Sequence, residues 1–513
     1  MRIIILNIFF TLLLVFCTRQ YDLEDAGIID YNSNEDIGLV TDTNIIDLDD
    51  RGSLNKFRPV YCNKDIKITS KKLREKAEYF DKIARELHIP KGQELLFSVF
   101  VREDSMTFDK VVMSDNVGTW TALYTASQAF RYATTKEKEA LENLKTTLKG
   151  QHNLLKITGV RGLFTRIYVN PKLPGFPSAE QLNNWYPDCD LSVKHCKRFV
   201  EVEDGEFKGY FFKTDVSKDE YAHHMFSMSV LWNLIDDTEV KSIVRDIVQQ
   251  VADHLMENNL RIIDIDGKVT TFGRMYATAF DDFPGFNALL TLSWFKLASV
   301  VGGEKYLSYY KNCLLQKRGR YKCIKDEEPT PYTDYLNNIG LNLDCKTNWN
   351  NHNMAQISMF HLIQNEDDRE LNKYYKEILY SQLWNANDPR PMRAQQNTLY
   401  TFFFAINKPE NQRLPTEELS DAICVMQMFP ERKHQYAVDT LNRYKTVCYD
   451  RSNEPLTDIV IPINEYGMDN FLWIRNPYKL KIEPENLFLI ESPEDYLLAY
   501  WIGRYYGFID ENM

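Results

Sequence analysis

Two carboxylates and an imidazole occur together in one short segment of the chain. Asp219 and Glu220 are adjacent, and His224 follows Glu220 by four residues. In a helix, that spacing places Glu220 and His224 on the same face. A carboxylate beside an imidazole serves acid/base catalysis or metal binding. The alternative is structural, because the helix dipole favours acids in a first helical turn and a histidine commonly belongs to a packed core.

A third acid of interest is Asp115, which precedes a long apolar-periodic segment. Hydrolysis of a glycosidic bond requires two carboxyl groups that face each other across a cleft, one protonated and one ionised. We predict Asp115 and Glu220 as this catalytic pair, with His224 assisting. For Asp115 the alternative is an N-cap of the following helix. Further acidic candidates are Asp264, Asp266, Asp281 and Asp282.

Charged and aromatic side chains indicate what these acids could act on. A guanidinium presents a planar donor fork to a carboxylate-bearing sugar such as a uronic acid, and an aromatic ring can stack on a sugar face. The predicted substrate-binding residues are Trp120, Arg166, Asp219, Arg274, Trp349 and Arg504, with Trp185 and Trp473 as further stacking candidates. The alternatives are internal ion pairs for the arginines and core packing for Trp120.

Several other functional classes have no support in the sequence. The chain contains no Gly-rich phosphate loop, no GxSxG segment and no HExxH segment, so nucleotide hydrolysis, serine-esterase chemistry and zinc proteolysis are not indicated. The formal charge of -12, with no basic run, argues against nucleic acid as a partner. We predict no metal and no cofactor. Calcium is the alternative at 264–267, where aspartates alternate as in a calcium loop but the acidic twelfth position is missing.

Hydrophobic periodicity predicts the elements that must position these residues. A long helix, a short turn and a second helix occur four times, with turns at 134–137, 235–238, 301–304 and 364–367. The predicted helices are 71–87, 118–133, 136–157, 219–235, 239–256, 286–300, 304–315, 353–363, 369–384, 395–406 and 494–506. Helical hairpins cannot bury their apolar faces alone. We therefore predict an all-α fold, an (α/α)6 toroid, with long irregular loops at one rim; these loops are 159–218, 264–284, 318–351 and 450–493.

The N-terminal region is predicted to lie outside this domain. Residues 1–18 have the basic start and apolar run of an export signal, and 19–60 form an acidic tether. A single domain then covers 61–513. Cys17 ends a segment similar to a lipid-attachment motif, although Phe16 stands where a small residue is typical. We predict a secreted or cell-envelope protein without a transmembrane segment, with a lipid anchor at Cys17 as an alternative.

The cysteine content agrees with export. Eight of the nine cysteines lie beyond Cys17, and an even number in an oxidising compartment indicates disulfides. The shortest loops favour Cys189–Cys196, Cys313–Cys323 and Cys424–Cys448, which leaves Cys62 with Cys345. Free buried thiols are the alternative, because connectivity does not follow from spacing.

Five segments together carry a resemblance to a known class of proteins. They are 114–121, 158–166, Asp219–Glu220 with His224, 263–268 and 500–507. In them the chain resembles a largely uncharacterised group of exported six-hairpin glycosidase-like proteins, over residues 71–509. The resemblance implies the (α/α)6 toroid but not one activity, because such toroids include hydrolases, lyases, epimerases and non-catalytic members. The group tends to carry a second Asp at Val117 and a Trp at Phe272, and these departures argue against a metal or carboxylate role at that loop.

Two functional hypotheses follow. The first is an exported carbohydrate-active enzyme, of glycoside hydrolase or polysaccharide lyase type, that processes a polysaccharide in a toroid cleft by acid/base chemistry. The second is a non-catalytic toroid that binds a glycan or a protein at the cell surface. Opposed carboxyl groups in one cleft would favour the enzyme, whereas aromatic side chains without such a pair would favour binding. The sequence does not predict the linkage or the oligomeric state.

Overall fold

The computed structural model describes residues 72–189, 195–279, 283–316, 323, 330–386, 390, 392–467 and 476–511. The export signal, the tether, Cys17 and Cys62 lie outside the described residues, as do Asp281, Asp282 and Trp473. The domain boundary at residue 61 therefore stays a prediction.

The described part of the chain is mainly helical. In chain order the α-helices are α1 (Leu73–Ile83), α2 (Val117–Thr135), α3 (Lys138–Lys156), α4 (Ala179–Asn183), α5 (Lys218–Leu234), α6 (Thr238–Glu257), α7 (Pro284–Gly302), α8 (Glu304–Tyr309), α9 (Tyr332–Tyr335), α10 (Trp349–Asn365), α11 (Arg369–Ile378), α12 (Thr398–Asn407), α13 (Thr416–Met428) and α14 (Glu494–Tyr505). Helices α1, α8 and α11 each continue as a short π-helical segment, at Ala84–His88, Tyr310–Leu315 and Leu379–Trp384.

Two kinds of helix alternate along the chain. Helix α2 is buried on every side from Val117 to Arg131, and α7 is buried almost as completely. Helix α3 instead buries a stripe that includes Leu144, Leu148 and Leu155. A helix buried all round must be surrounded by other elements, whereas an amphipathic helix covers a core from outside. Helices α2, α5, α7, α10, α12 and α14 thus form the inner layer, and α1, α3, α6, α8, α11 and α13 form the outer layer.

The inner helices close into a ring. Helix α2 packs on α5, α5 on both α7 and α10, α7 on α10, α10 on α12, and α12 on α14, which returns to α2. Helix α1 packs on α14, so the first described helix is the outer partner of the last. Phe226, Phe360 and Phe403, from α5, α10 and α12, meet at the toroid axis with ring centroids 4.4 to 6.0 Å apart. The predicted (α/α)6 toroid is confirmed, with a filled centre.

The connections divide by length in a regular way. The inner helices α2, α5, α7 and α10 lead to their outer partners through short turns, as at 136–137, 235–237 and 303, and α12 leads to α13 through 408–415. Each outer helix leads to the next inner helix through a longer connection; these are 89–116, 157–217, 258–283, 316–348, 385–397 and 429–493. Because the paired helices are antiparallel, the long connections all lie at the end where the inner helices begin. We call this end the N-terminal rim.

Short β-strands in these long connections are not predicted by the sequence pattern. They are β1 (Val99–Val101), β2 (Phe108–Val111), β3 (Tyr168–Val169), β4 (Phe199–Glu201), β5 (Phe211–Lys213), β6 (Arg261–Ile263), β7 (Val269–Arg274), β8 (His434–Gln435), β9 (Val438–Asp439), β10 (Cys448–Tyr449), β11 (Pro455–Leu456), β12 (Ile482–Glu483) and β13 (Asn486–Ile490). The described strands pair antiparallel, in the orders β2-β1-β13-β8 and β3-β5-β4 and as the pairs β6-β7, β9-β12 and β10-β11. Strands this short contain too few residues for a period of two to be recognised.

Most predicted helix boundaries agree with the structure to within a few residues. Helix α10 begins at Trp349, whereas the predicted start is residue 353. Polar residues fill its first turn, so the apolar pattern does not reveal it. The Asn348 side chain caps the helix by accepting from Asn350 N. Helix α13 is missing from the prediction. Its first turn is polar and its buried residues cluster in its second half, so its periodicity is weak.

The disulfides correct part of the predicted connectivity. Cys189–Cys196 and Cys313–Cys323 are confirmed. The other two predicted pairs, Cys424–Cys448 and Cys62–Cys345, are wrong because Cys345 is bonded to Cys448; Cys424 is itself disulfide-bonded. The shortest-loop criterion fails here because two different rim connections bring together residues 103 positions apart, and loop-closure entropy grows only slowly with length.

The three disulfides whose cysteines both lie in the described ranges match an oxidising compartment. Across the described residues, no helix has both the length and the apolar character that crossing a lipid bilayer requires.

Candidate functional site

The predicted acids lie where two neighbouring inner helices begin. Asp115 comes just before α2, and Asp219 and Glu220 occupy the first turn of α5. Both helices start at the N-terminal rim and pack against each other. The N-cap of α2 is Asn116, without a side-chain cap bond, so Asp115 does not act as the cap. Its role must come from its other contacts.

Three cations from the connection 157–217 surround Asp115. Lys197 Nζ donates to Asp115 Oδ2 at 2.5 Å, and Lys213 donates to Oδ1. The Arg166 guanidinium lies 3.9 Å from Oδ2. Burial alone would raise the pKa of this carboxyl, but Lys213, Arg166 and Lys197 hold it well below its ordinary 3.8. Asp115 is therefore an ionised carboxylate with both oxygens engaged by internal ion pairs.

Glu220 is enclosed between α2 and α5, where its environment disfavours the charged form. It has no exposed surface. Its Oε1 accepts from Thr119 Oγ1 at 2.9 Å, and its Oε2 has no hydrogen-bond partner among the described residues. Burial, reinforced by the neighbouring Asp219 charge, raises the pKa of Glu220 well above 4.5. The environment in the first turn of α5 thus favours the protonated form of this carboxyl.

His224 faces Glu220, with its Nε2 3.7 Å from Glu220 Oε2. Burial lowers the pKa of His224 to about 3, so the imidazole is uncharged. Gln151 Nε2 donates to Thr125 Oγ1, which leaves Gln151 Oε1 to accept at 3.0 Å from His224 Nδ1. The proton is therefore assigned to Nδ1, and Nε2 presents a bare lone pair toward Glu220. Phe164 stacks on the imidazole with centroids 4.2 Å apart.

Gly118 makes the room for this pair. A Cβ at that position would lie 2.4 Å from Glu220 Oε2 and 3.2 Å from His224 Nε2. Because Glu220 and His224 have no exposed surface, both lie in the interface between α2 and α5 and not on an open cleft wall.

Asp219 is the partly exposed acid of the group. Burial would raise its pKa, but Arg166 and the Ser217 hydroxyl outweigh burial and lower it. Asn350 Nδ2, at the start of α10, donates to Asp219 Oδ2 at 3.3 Å. Asp219 and Glu220 are therefore adjacent carboxyl groups with pKa values shifted in opposite directions, and only Asp219 reaches the rim surface.

His223 links α5 to α10 next to this acid. Its Nδ1 donates to the Asp219 carbonyl at 2.7 Å, and Asn353 Nδ2 donates to its Nε2 at 2.8 Å. Burial lowers the pKa of His223 to about 4, so it is neutral. The two successive histidines of α5 thus point to different neighbours, His223 toward α10 and His224 toward α2 and α3.

Arg166 connects the acids of the rim. It is 5% exposed, its Nε donates to the Asp215 carbonyl at 3.0 Å, and Asp115 and Asp219 raise its pKa although burial opposes this. These contacts with Asp215 and Asp115 are internal to the chain. Arg166 therefore acts here as the cation that keeps neighbouring acids ionised.

The predicted calcium segment is the turn of the β6–β7 hairpin. Gly267 N donates to the Asp264 carbonyl at 2.9 Å, which closes a tight turn. The carboxylates face His195: its Nδ1 lies 2.9 Å from Asp266 Oδ2, and its Nε2 lies 3.0 Å from Asp215 Oδ1 and 3.5 Å from Asp264 Oδ2. Burial opposes protonation, but these carboxylates raise the pKa of His195. No group of three or more potential metal ligands suited to an ion occurs in the described ranges. The prediction of no metal, and calcium as its alternative, both stay untested.

His195 and Asp215 are site residues that the sequence analysis misses. Asp215 Oδ1 also accepts from Thr271 N at 2.7 Å, so it joins the hairpin to the connection that carries Arg166. Asp215 adopts a φ of 59°, a left-handed conformation that is uncommon outside glycine. In the sequence, the one indication of a role for His195 is its position next to the disulfide cysteine Cys196. The spacing of His195 along the chain does not indicate its three acidic partners.

The β7 strand places an aromatic side chain at the rim. Phe272 is 45% exposed and shares a face of the strand with Arg274, two residues further on. The Arg274 carbonyl accepts from Lys218 Nζ at 3.1 Å, so β7 lies beside the first residue of α5. Phe272 is therefore an exposed side chain that could stack on a sugar at this rim. From the sequence alone, Phe272 is notable only because the group it resembles tends to carry a Trp at this position.

Among the predicted tryptophan platforms in the described ranges, Trp120 and Trp349 are buried and Trp185 is half-buried. Trp120 is 4% exposed within α2, and Trp349 is 7% exposed and packs against His352 and Tyr478 with centroids 5.0 and 5.6 Å apart. Trp185 packs on Phe199 at 5.6 Å. Trp349 nevertheless begins α10, directly before the residue that contacts Asp219, so it lies at the rim.

Arg504 lies away from the other predicted site residues. It occupies the last turn of α14, which begins at the N-terminal rim, and its Nη1 donates to Tyr500 at 3.1 Å. Ten residues of helix separate it from the start of α14, a rise of about 15 Å. The structure thus brings together Asp115, Arg166, Asp219, Glu220, His224, Arg274 and Trp349 at one rim and leaves Arg504 toward the opposite end.

Comparison with known proteins adds information on the fold. No protein-family profile and no curated protein matches the chain. Solved structures that it is similar to include a sugar epimerase from a ruminal bacterium, with 11% identity, TM-score 0.40, and coverage of 85% of this chain and 98% of that chain. Others are an unsaturated glucuronyl hydrolase specific for heparin, with 9% identity, TM-score 0.37 and coverage of 85% and 97%, and a GH76 alpha-mannanase of Bacteroides thetaiotaomicron, with 12% identity, TM-score 0.35 and coverage of 86% and 97%. Similarity this low carries no argument about activity. The assignment of the chain as an (α/α)6 toroid rests on its own helix packing.

Proposed function

We propose that this protein is an exported carbohydrate-active enzyme that processes a glycan at the N-terminal rim by acid/base chemistry. The proposal is supported by the opposite pKa shifts of two adjacent acids. The pKa of Asp219 is lowered and that of Glu220 is raised. Carboxyl groups whose environments move their pKa values apart are suited to act as base and acid in one reaction.

In this proposal the ionised partner is Asp219 and not Asp115. Both oxygens of Asp115 are held by lysines, whereas Asp219 is partly exposed and can accept a proton from an attacking water or from a sugar carbon acid. Arg166 keeps Asp219 ionised. Phe272 supplies an exposed ring on which a sugar face can stack.

Glu220 serves as the proton store behind this surface. Its Oε1 accepts from Thr119 Oγ1, so the proton belongs on Oε2, which lies 3.7 Å from the bare Nε2 of His224. Glu220 and His224 therefore set the protonation of the site without touching the substrate in the state described.

The test is turnover of a polysaccharide panel that includes neutral and uronic-acid polymers. New reducing ends report hydrolysis, and unsaturated products report a lyase reaction. We expect the wild type to form product on at least one polymer and Asp219→Asn to form none. The control is Asp204→Asn, because the Asp204 side chain is 94% exposed. Product formation that survives Asp219→Asn would contradict the assigned role.

Burial of the pair Glu220 and His224 favours a second function, non-catalytic glycan binding. Neither has exposed surface, and Asp115 is only 6% exposed. A binding toroid would retain the panel polymers in affinity electrophoresis and release no product from any of them. Retention without products would therefore replace the enzymatic proposal with this one.

Export belongs to the same proposal and is tested separately. Expression of the full chain with its N-terminal segment should place it outside the cytoplasm with its disulfides formed. If the full chain partitions into a detergent phase and Cys17→Ser abolishes this partition, the lipid-anchored alternative is supported. If Cys17→Ser leaves the partition unchanged, that alternative is excluded.

A further inference from the structure

The inner face of α10 carries polar side chains directed at the toroid axis. Phe360 packs against Phe226 and Phe403 from two other inner helices, with centroids 5.9 and 4.4 Å apart, so this face of α10 points to the centre. Residues four and seven positions before Phe360 share that face in a helix. They are Gln356 and Asn353.

Helix α5 presents a matching stripe. Asp219, His223 and Phe226 recur at helical spacing, and two of them are bonded to α10. Asn350 donates to Asp219 at 3.3 Å, and Asn353 donates to His223 at 2.8 Å. From the rim inward, the two helices thus exchange one side-chain bond per turn as far as Asn353.

The next turn inward lacks such a bond. Gln356 Oε1 and Nε2, Asn353 Oδ1 and His352 Nδ1 have no hydrogen-bond partner within the described part of the chain. Gln356 is 1% exposed, Asn353 is 0% exposed and His352 is 6% exposed. Unpaired buried polar atoms are rare because each one loses its hydrogen bonds to water without replacement. Four such atoms within two helical turns indicate a partner that the chain itself does not supply.

The chemistry of these atoms favours an uncharged, hydroxyl-rich partner. An amide offers a donor and an acceptor side by side, which matches sugar hydroxyls that both donate and accept. Burial lowers the pKa of His352 to about 3 and that of His223 to about 4, so neither imidazole offers a charge. Arg166, Lys197 and Lys213 surround Asp115, so the positive charge of these three side chains is directed at that carboxylate. His352, Asn353 and Gln356 themselves offer a sugar carboxylate no positive charge.

The aromatic cluster of Phe226, Phe360 and Phe403 lies one turn further in. It closes the axis below Gln356 because it joins three inner helices. A partner that enters from the rim along this face of α10 therefore meets the aromatic cluster one turn beyond Gln356. This arrangement suits the end of a chain better than its middle.

We propose that His352, Asn353 and Gln356 form the innermost subsite of the glycan site and bind an uncharged sugar residue at a chain end. The Asn350–Asp219 bond lies above this subsite, and the sugar enters by replacing it. This inference rests on the proposed function. It adds that the sugar bound is uncharged and that the protein acts at the end of a glycan chain.

The test uses Gln356→Leu, which keeps the approximate volume of the side chain and removes both polar atoms. The matched control is Gln364→Leu on the same helix, because Gln364 is exposed in the last turn of α10. The probes are glucose, galactose and mannose, each paired with its uronate, which differs only in oxidation at C6. Thermal unfolding and calorimetric titration measure binding.

We expect at least one neutral sugar to raise the unfolding temperature more than its uronate does. Gln356→Leu should lower the affinity for that sugar by about tenfold or more. Gln364→Leu should bind the sugar with the affinity of the wild type. Without sugar, Gln356→Leu should unfold at a higher temperature than the wild type, because two unpaired polar atoms are removed. A lower unfolding temperature would show that Gln356 has an internal or water partner, and it would overturn the inference.

The outcomes also separate this inference from the proposed function. If the polysaccharide panel yields product but Gln356→Leu leaves both turnover and sugar binding unchanged, the subsite is wrong and the proposed function stands. Preference for uronates overturns the subsite in the same way. If no glycan binds or reacts with the wild type, both are overturned.

Discussion

Replacement of Glu220 by Gln tests whether a neutral carboxylic acid is buried between α2 and α5. Gln reproduces the protonated form of Glu in size. Its Oε1 can accept from Thr119 as Glu220 Oε1 does at 2.9 Å, and its Nε2 replaces the oxygen that lies 3.7 Å from His224 Nε2. The amide would therefore donate toward the bare lone pair of His224, so the substitution preserves the contacts of the site.

The magnitude follows from proton linkage. The folded-state pKa of Glu220 is raised above its ordinary 4.5, so the unfolded state releases the proton first as the pH rises. The contribution of this carboxyl to stability is fully present below pH 4.5 and is lost as the pH rises toward the folded-state pKa. Between pH 4.5 and the folded-state pKa, the free energy of unfolding of the wild type falls by about 1.4 kcal/mol per pH unit. Gln does not titrate and avoids this loss.

The assay is urea unfolding of the wild type and of Glu220→Gln at several pH values between about 5 and 8, with the disulfides intact. The stability difference in favour of Gln should grow by up to about 1.4 kcal/mol per pH unit. The control is Glu370→Gln, because Glu370 is an exposed acid in the first turn of α11, and its difference from the wild type should not show this growth.

One result would refute the reasoning. If the stability difference between Glu220→Gln and the wild type does not change with pH, or if Gln is less stable at neutral pH, the folded protein holds Glu220 ionised. The opposite pKa shifts of Asp219 and Glu220, and the proposal based on them, would then fall.

Three further substitutions test the packing and the charges. Gly118→Ala should lower stability, because overpacking against Glu220 Oε2 at 2.4 Å costs about 1–3 kcal/mol and exceeds the gain of about 1 kcal/mol in helix propensity; additive effects of Gly118→Ala and Glu220→Ala in thermal unfolding would count against this clash. Asp115→Asn should lower the unfolding temperature at neutral pH, because three cations lose their anion. The pKa of Asp115 is lowered, so its stabilisation is present above pH 3.8 and is lost as the pH falls; a difference that persists in acid would contradict the pairing. Lys433→Met should destabilise by about 3–5 kcal/mol in urea unfolding, because Lys433 and Asp495 are both fully buried and 2.9 Å apart; an unchanged unfolding midpoint would exclude this ion pair.

Part of the site could be read from local spacing, and part could not. The spacing of Glu220 and His224 predicts a shared helix face, and the structure places them 3.7 Å apart. The same spacing cannot tell which neighbour covers that face. Helix α2, more than a hundred residues earlier at Thr119, covers it completely. The accessible acid is consequently Asp219, one residue away and about 100° around the helix.

The sequence by itself determined the helical hairpins, their order and two of the disulfides, because helical periodicity and short loops are properties of neighbouring residues. Tertiary structure decided which acid reaches the surface, which cysteine pairs with Cys345, and how His195 comes to lie among three aspartates. These features depend on residues that meet only when the toroid closes. Burial and charge from those distant neighbours shift the pKa values of Asp115, Asp219 and Glu220 in different directions, although all three start from similar ordinary values.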